Sequence, residues 1–248
     1  MGKEPENVNQ ASAGGKIAIF RAADDAAKSA ARLAALGFEA VIAPVMAPIA
    51  LQAAAPQGAF EAWVATSAKA LVLAEPALLA PFAGLPLYVV GAAGAAAAAS
   101  RGLPVAACAA DAASLARALV AELPREGRVL YFAGADRKPE METTLIRAGF
   151  SVSTVEVYAA KARERWSEEE ARGVACCRAA LHYSRRSAEI ALRLAERAGI
   201  MSHWRDMAHV TISADAAGVF AASGATKIIV AGAVREEAML TALAAGIR

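Results

Sequence analysis

Six places in the chain set hydroxyl, basic or glycine residues directly after a short apolar run. They are Arg21, Thr66-Ser67, the Gly91–Gly94 stretch, Gly134-Ala135-Asp136-Arg137-Lys138, Ser184-Arg185-Arg186-Ser187, and Ser213. Each opens a stretch that reads as helix. The first N–H groups of a helix lack partners within it, and the helix dipole is positive at that end. Hydroxyls and cations placed there receive carboxylates or phosphates. The same residue types also make N-caps, so Thr66, Ser67, Ser184 and Ser213 can each be read as caps and nothing more. Tyr158, in TVEVYAAKA, is a phenol in an extended segment. It can donate a hydrogen bond to a ligand or simply pack with its ring.

Other chemistries are poorly supplied. YVVGAAGAAAAASRGLP (88–104) reads as strand, glycine turn and helix, as a nucleotide site begins. The fingerprint needs G-x-G-x-x-G and a second-strand acid; only Gly91-x-x-Gly94 is present, and Asp111 reads as a helix N-cap. No phosphate-binding G-x-x-x-x-G-K-[ST] and no nucleophile elbow G-x-S-x-G occurs. His182, His203 and His209 are scattered, and His182, in an apolar strand, reads as a satisfied core or edge histidine. Cys108, Cys176 and Cys177 have no metal-ligand spacing, which suits a reducing cytoplasm. Arg163, Glu164, Arg165 and Glu168–Glu170 read as solvated helix charge.

The elements that must position these residues follow a βα rhythm. With 57% hydrophobic and 20% charged residues over 248 positions, the chain can bury one large core or two smaller ones. Its apolar runs are broken by Pro76 and Pro81, and none supplies 18 spanning residues; no membrane partner is expected. A net charge of +2 does not call for nucleic acid. MGKEPENVNQASAGG (1–15) reads as a disordered tail without a secretory signal.

Two pairs of segments align without gaps: 16–38 over 128–150, and 88–102 over 210–224. A third, weaker pair is 62–71 over 180–190. Repetition of this kind argues for two similar α/β domains. Extended apolar segments at 41–52 and 152–165 allow the chain to leave one domain, build the other and return. Two sequential domains meeting near residue 125 fit the repeats equally well.

Together these stretches resemble the uroporphyrinogen-III synthase family of tetrapyrrole biosynthesis, from about Lys16 to the C-terminus. The likeness rests on FEAWVATSAKAL (60–71), YVVG (88–91), YFAGADRKPE (131–140), GFSVSTVEVY (149–158) and HYSRRSA (182–188), in that order. The chain departs from the family pattern at Phe20-Arg21-Ala22, which keeps only the arginine of Thr-Arg-Pro. It departs again at Ala92-Ala93-Gly94, where a threonine is frequent, and at Ser213-Ala214-Asp215-Ala216, which lacks a glycine.

The resemblance implies two similar three-layer, parallel-sheet α/β domains joined by a two-stranded β connector, one inserted in the other. Domain 1 would be 16–42 with 163–248, domain 2 would be 50–153, and the connectors 43–49 and 154–162. It further implies a cytoplasmic, monomeric lyase with no cofactor or metal, in at most transient contact with neighbouring pathway enzymes. Its substrate would be hydroxymethylbilane, cyclised with inversion of ring D and loss of water through a spiro intermediate. Thr66, Ser67, Ser184 and Tyr158 would then face the inter-domain cleft, with Tyr158 catalytic. Arg21, Gly91, Gly134, Arg137, Lys138, Arg185, Ser187 and Ser213 would complete the substrate site. Two alternatives keep the architecture: a non-catalytic two-lobed module for a small anionic ligand, and a divergent paralogue of the synthase.

Overall fold

In Lys16–Ile19 every second side chain turns to the opposite face: Ile17 and Ile19 enter one buried cluster, Ala18 and Phe20 another. A strand buried on both faces needs helices on both, and the whole chain is arranged that way. The structure, a computed structural model, describes residues 14–124 and 126–247. The tail expected over 1–15 falls outside these up to residue 13. Gly14 and Gly15 are described, the Gly14 N–H donating to the Gly37 carbonyl and the Gly15 carbonyl accepting from Glu39.

The elements in chain order begin with β1 (Lys16–Ile19), α1 (Ala23–Ala35), β2 (Glu39–Ile42), β3 (Met46–Ala50) and β4 (Ala62–Ala65). Next come α2 (Ala68–Leu73), α3 (Pro76–Leu79), a 3₁₀ turn at Ala80–Phe82, β5 (Leu87–Val90), α4 (Gly91–Ser100) and β6 (Val105–Ala109). They continue with α5 (Ala112–Glu122), β7 (Arg128–Gly134), α6 (Glu140–Arg147), β8 (Ser151–Ala162), α7 (Glu168–Val174) and β9 (Ala179–His182). The last are α8 (Arg185–Arg197), α9 (Met201–Asp206), β10 (Ala208–Thr211), α10 (Ala214–Ala221), β11 (Lys227–Val230) and α11 (Glu236–Gly246).

Two compact units result. Unit 1 holds residues up to Ala47 and from Ala162 onward; unit 2 is the continuous stretch Pro48–Lys161, inserted between them. The sheet of unit 1 runs β11-β10-β9-β1-β2, all parallel. The other runs β3-β8-β7-β4-β5-β6, parallel from β8 to β6. β3 is antiparallel to β8: bonds join Val45 with Arg163 and Leu51 with Val157, so partners recede as the chain advances.

The aligned segments occupy corresponding places. From the other end the first sheet reads β2-β1-β9-β10-β11, and the second reads β8-β7-β4-β5-β6. β1 thus matches β7, β9 matches β4, and β10 matches β5, as the three repeat pairs require. The matched glycines that end helices share a left-handed backbone: Gly37 at φ 81° with Gly149 at 94°, and Gly102 at 65° with Gly224 at 77°. Glycine alone adopts that conformation freely. The architecture is α/β, two similar three-layer units with parallel-dominated sheets.

Two expectations change. Arg163 and Glu170 are not merely solvated charge. They form a half-buried ion pair at 2.6 Å, Arg163 also donates to the Pro44 carbonyl, and Glu170 closes a capping box with Ser167. His182 is buried but only half satisfied. His209 Nε2 lies 2.8 Å from the Trp204 carbonyl, which can only accept, so Nε2 carries the proton. His209 Nδ1 therefore accepts from His182 Nε2, at 3.1 Å. His182 Nδ1 and Trp204 Nε1 have no partner among the described residues.

Candidate functional site

The residues singled out above gather at the carboxyl ends of the parallel strands, where α/β sheets present their loops. They form one group in each unit.

In unit 2, Thr66 follows β4, and its hydroxyl lies 2.7 Å from that of Tyr131 on the adjacent β7. Burial raises the Tyr131 pKa. Ser67 is the N-cap of α2, accepting from the Lys69 N–H at 3.3 Å. Thr66, Tyr131, Arg137, Lys138 and the start of α5 line a hollow of about 460 Å³. Lys138 is exposed. Arg137 already has its charge matched: it bonds Glu142 at 3.0 Å, Glu156 at 2.7 Å and the Gly134 carbonyl at 3.1 Å. Those carboxylates raise its pKa further. Burial opposes the charge of Glu142, but bonds from Arg137 and Thr154 outweigh it and hold that carboxyl below its usual range.

Gly134 and Tyr158 meet through a β-bulge. The β7–β8 register steps from Ala133 opposite Glu156 to Gly134 opposite Tyr158, leaving Val157 as the extra residue. A bulge re-aims the side chains that follow it, and here the phenol comes to lie against Gly134. The Tyr158 ring packs on the apolar core of unit 2, half-buried. Its hydroxyl makes no hydrogen bond among the described residues.

The glycine turn expected after β5 is absent. α4 begins on Gly91 itself, at φ 70°, with no side-chain cap. Gly94 lies inside the helix, where a Cβ would come within 3.2 Å of Val89 Cβ; its role is close packing of helix on strand. Asp111 is the N-cap of α5, accepting from Ser114 N at 2.7 Å.

In unit 1, Ser184 caps α8 by accepting from the Ser187 N–H at 3.1 Å, and Ser213 caps α10 by accepting from the Ala216 N–H at 3.4 Å. Ser187 returns a hydroxyl bond to the Ser184 carbonyl. Arg185 spans the two helix starts, bonding Glu189 at 2.9 Å and Asp215 at 3.0 Å. The caps are thus real, and they fix the loop shapes whatever else those loops do. Ser184→Ala should cost about 1 kcal/mol, as N-cap removals do, read as a lower urea midpoint at unchanged slope. A wild-type midpoint would show that the cap contributes nothing.

Arg21 is half-buried in unit 1. It stacks over the Tyr183 ring at 4.3 Å, bonds Ser29 at 3.3 Å and lies 3.6 Å from Glu236. Glu236 in turn accepts from Ser29, Arg32 and, at 2.7 Å, Tyr183. Sequence reasoning missed Tyr183, Glu236, Tyr131, Glu142 and Glu156. Tyr131, Glu156 and Tyr183 stand in the stretches that carry the resemblance, which was their only signal. Among the described residues no cluster of acidic, histidine or cysteine side chains can hold a metal, and no helix is long and apolar enough to cross a membrane.

A family model described as uroporphyrinogen-III synthase HemD matches residues 27–241. No curated protein sequence matches the chain. Among solved structures, the chain is similar to uroporphyrinogen-III synthetase from Helicobacter pylori at 16% identity and a TM-score of 0.48, covering 94% of this chain and 100% of that one. It is also similar to Thermus thermophilus uroporphyrinogen III synthase at 18% identity and a TM-score of 0.41, over 94% and 100%. With most of its length inside the family match, the chain belongs to the uroporphyrinogen-III synthase family.

Proposed function

We propose that the chain is a uroporphyrinogen-III synthase, a cofactor-independent lyase that cyclises hydroxymethylbilane with inversion of ring D. The observation that carries this reading is the family match across residues 27–241. The substrate's hydroxyl leaves as water, giving an electrophilic azafulvene. The substituted carbon of ring D attacks it, and the spiro intermediate fragments and recloses with that ring turned over. Because the linear substrate also closes unaided without inversion, the enzyme's contribution is chiefly to hold the chain in the geometry of the spiro path.

Tyr158 is the residue we assign to the departing hydroxyl, as hydrogen-bond donor. Its half-buried ring and unengaged hydroxyl support that role. The substrate carboxylates fall to the helix starts after β5, β9 and β10 and to Lys138, which present N–H groups or positive charge. Arg137 and Arg185, already paired with carboxylates, contribute by fixing their loops.

Incubation with hydroxymethylbilane, followed by chromatographic separation of the ring isomers, tests the reading. The type III ring is expected; the unassisted type I ring alone would overturn it and leave the binding module. Tyr158→Phe should lower kcat by about 10²-fold, the lower end for a positioned proton donor, with KM and unfolding midpoint near wild type. Full activity in that variant would remove Tyr158 from the mechanism.

A further inference from the structure

We infer that Gly134 is a positioning residue for Tyr158: the side chain it lacks is the space in which the phenol stands. The inference rests on the reading of Tyr158 as donor. A Cβ built on Gly134 would come within 2.6 Å of Tyr158 Cζ and 2.8 Å of its hydroxyl oxygen, closer than non-bonded atoms approach. The three nearest atoms to that Cβ, Cζ, Cε2 and the hydroxyl oxygen, all belong to the Tyr158 phenol. Gly134 has no left-handed backbone, so alanine fits its main chain and the phenol is the group its side chain meets first.

The surroundings narrow where the phenol can go. Beneath it lie the buried residues of the unit 2 core, among them Val157 and Phe132. Its own backbone is pinned, since the Tyr158 carbonyl accepts from the Ala135 N–H at 2.9 Å. On the strand before Gly134, Ala133 is buried in the opposite face of the sheet. Displacement of the ring therefore falls on its hydroxyl end, and a donor moved by about 1 Å loses much of its catalytic effect. The glycine in YFAGADRKPE, read from sequence as a substrate contact, thus acts through Tyr158.

A four-member cycle tests this with wild type, Gly134→Ala, Tyr158→Phe and the double variant. Gly134→Ala should lower kcat at least about tenfold with KM nearly unchanged, and the double variant should be no slower than Tyr158→Phe alone. Losses that multiply in the double variant would overturn the inference. Tyrosine labelled with ¹³C at Cζ gives a second readout that does not depend on turnover. There are four tyrosines in the chain, and the Tyr158 signal is the one missing from Tyr158→Phe. It should move in Gly134→Ala; a signal that stays in place overturns the inference. If Tyr158→Phe proves fully active, the donor reading falls and the ring signal alone decides Gly134. Should Gly134→Ala fail to fold, the same change in a Tyr158→Ala background must fold as well as Tyr158→Ala itself, or the inference is wrong.

Discussion

Between pH 6.5 and pH 5 the protein should lose about 3 kcal/mol of stability through two buried histidines. His209 is held down to about 4 by burial, its bond to the Trp204 carbonyl only partly offsetting that. His182 is held well below an ordinary imidazole, first by burial and then by the neighbouring His209. The unfolded chain takes up a proton on each near the usual 6.5, while the folded chain takes up neither. Stability is therefore complete above that value and lost as pH falls toward the folded values, at up to about 1.4 kcal/mol per unit for each ring.

The surroundings leave little room for relief. Phe220 stacks on His209 at 4.3 Å with rings 10° from parallel, and Phe20 and Trp204 close around His182. None of these side chains offers an acceptor to a charged ring. Urea unfolding at half-unit steps should show the fall, and replacing both histidines by phenylalanine should flatten it whatever the stability at neutral pH. Equal midpoints at pH 6.5 and pH 5 would contradict the assignment.

The second large effect is expected at Glu236, whose side chain is only 11% exposed. Its carboxylate accepts from Ser29, Tyr183 and Arg32 and faces Arg21. Burial opposes its charge, yet those hydroxyl bonds and the two arginines outweigh it and hold the carboxyl below its usual range. Glu236→Ala removes the charged acceptor of the fully buried Ser29 hydroxyl and of Tyr183, leaving them the longer 3.2 Å bonds to the Asp25 carbonyl and to Ser29. It also leaves Arg21 and Arg32 without that carboxylate. Such a loss should cost about 2–3 kcal/mol, less than for a fully buried pair because both arginines reach water. Glu236→Gln keeps an acceptor without the charge and should recover part of it. A wild-type midpoint in the alanine variant would show the network to be idle. The contribution of Glu236 follows a different pH window: it is present above the unfolded carboxylate value and lost as acid reaches the lower folded one.

The contrast between these residues explains what the sequence made legible. Ser67, Ser184, Ser213 and Asp111 are caps, and capping is decided within three residues of chain. The likeness of the two sheets followed from the repeats, because aligned βα units occupy equivalent places in them, while the strand order itself did not. Glu236 was invisible because Ser29 and Arg21 lie at the other end of the chain. Glu142 and Glu156 were not singled out, because only the return of β8 beside β7 brings them to Arg137. Tyr158 was recognised as a phenol near a crossing, but not as a partner of Gly134. The bulge at Val157 shifts the two-residue alternation of the strand by one, and alternation was the only guide available. Gly91 misled for a related reason: glycine signals a turn in most settings, and here it supplies one positive φ from which α4 starts at once.

The insertion of one unit in the other also sets an order of assembly. β1 lies in the interior of its sheet, between β2 and β9. β2 follows it within a few residues, but β9 reaches the ribosome exit only after all of Pro48–Lys161 has been made. Until then Ile17, Ile19 and Leu33 lack most of the buried residues they pack with, from Ala179 to Ile247, and a two-stranded pair is marginal in water. Unit 2 is continuous and complete in itself by that time. β1, made before unit 2, is thus enclosed only after unit 2 is complete, and its exposure during synthesis is written into the threading of the chain.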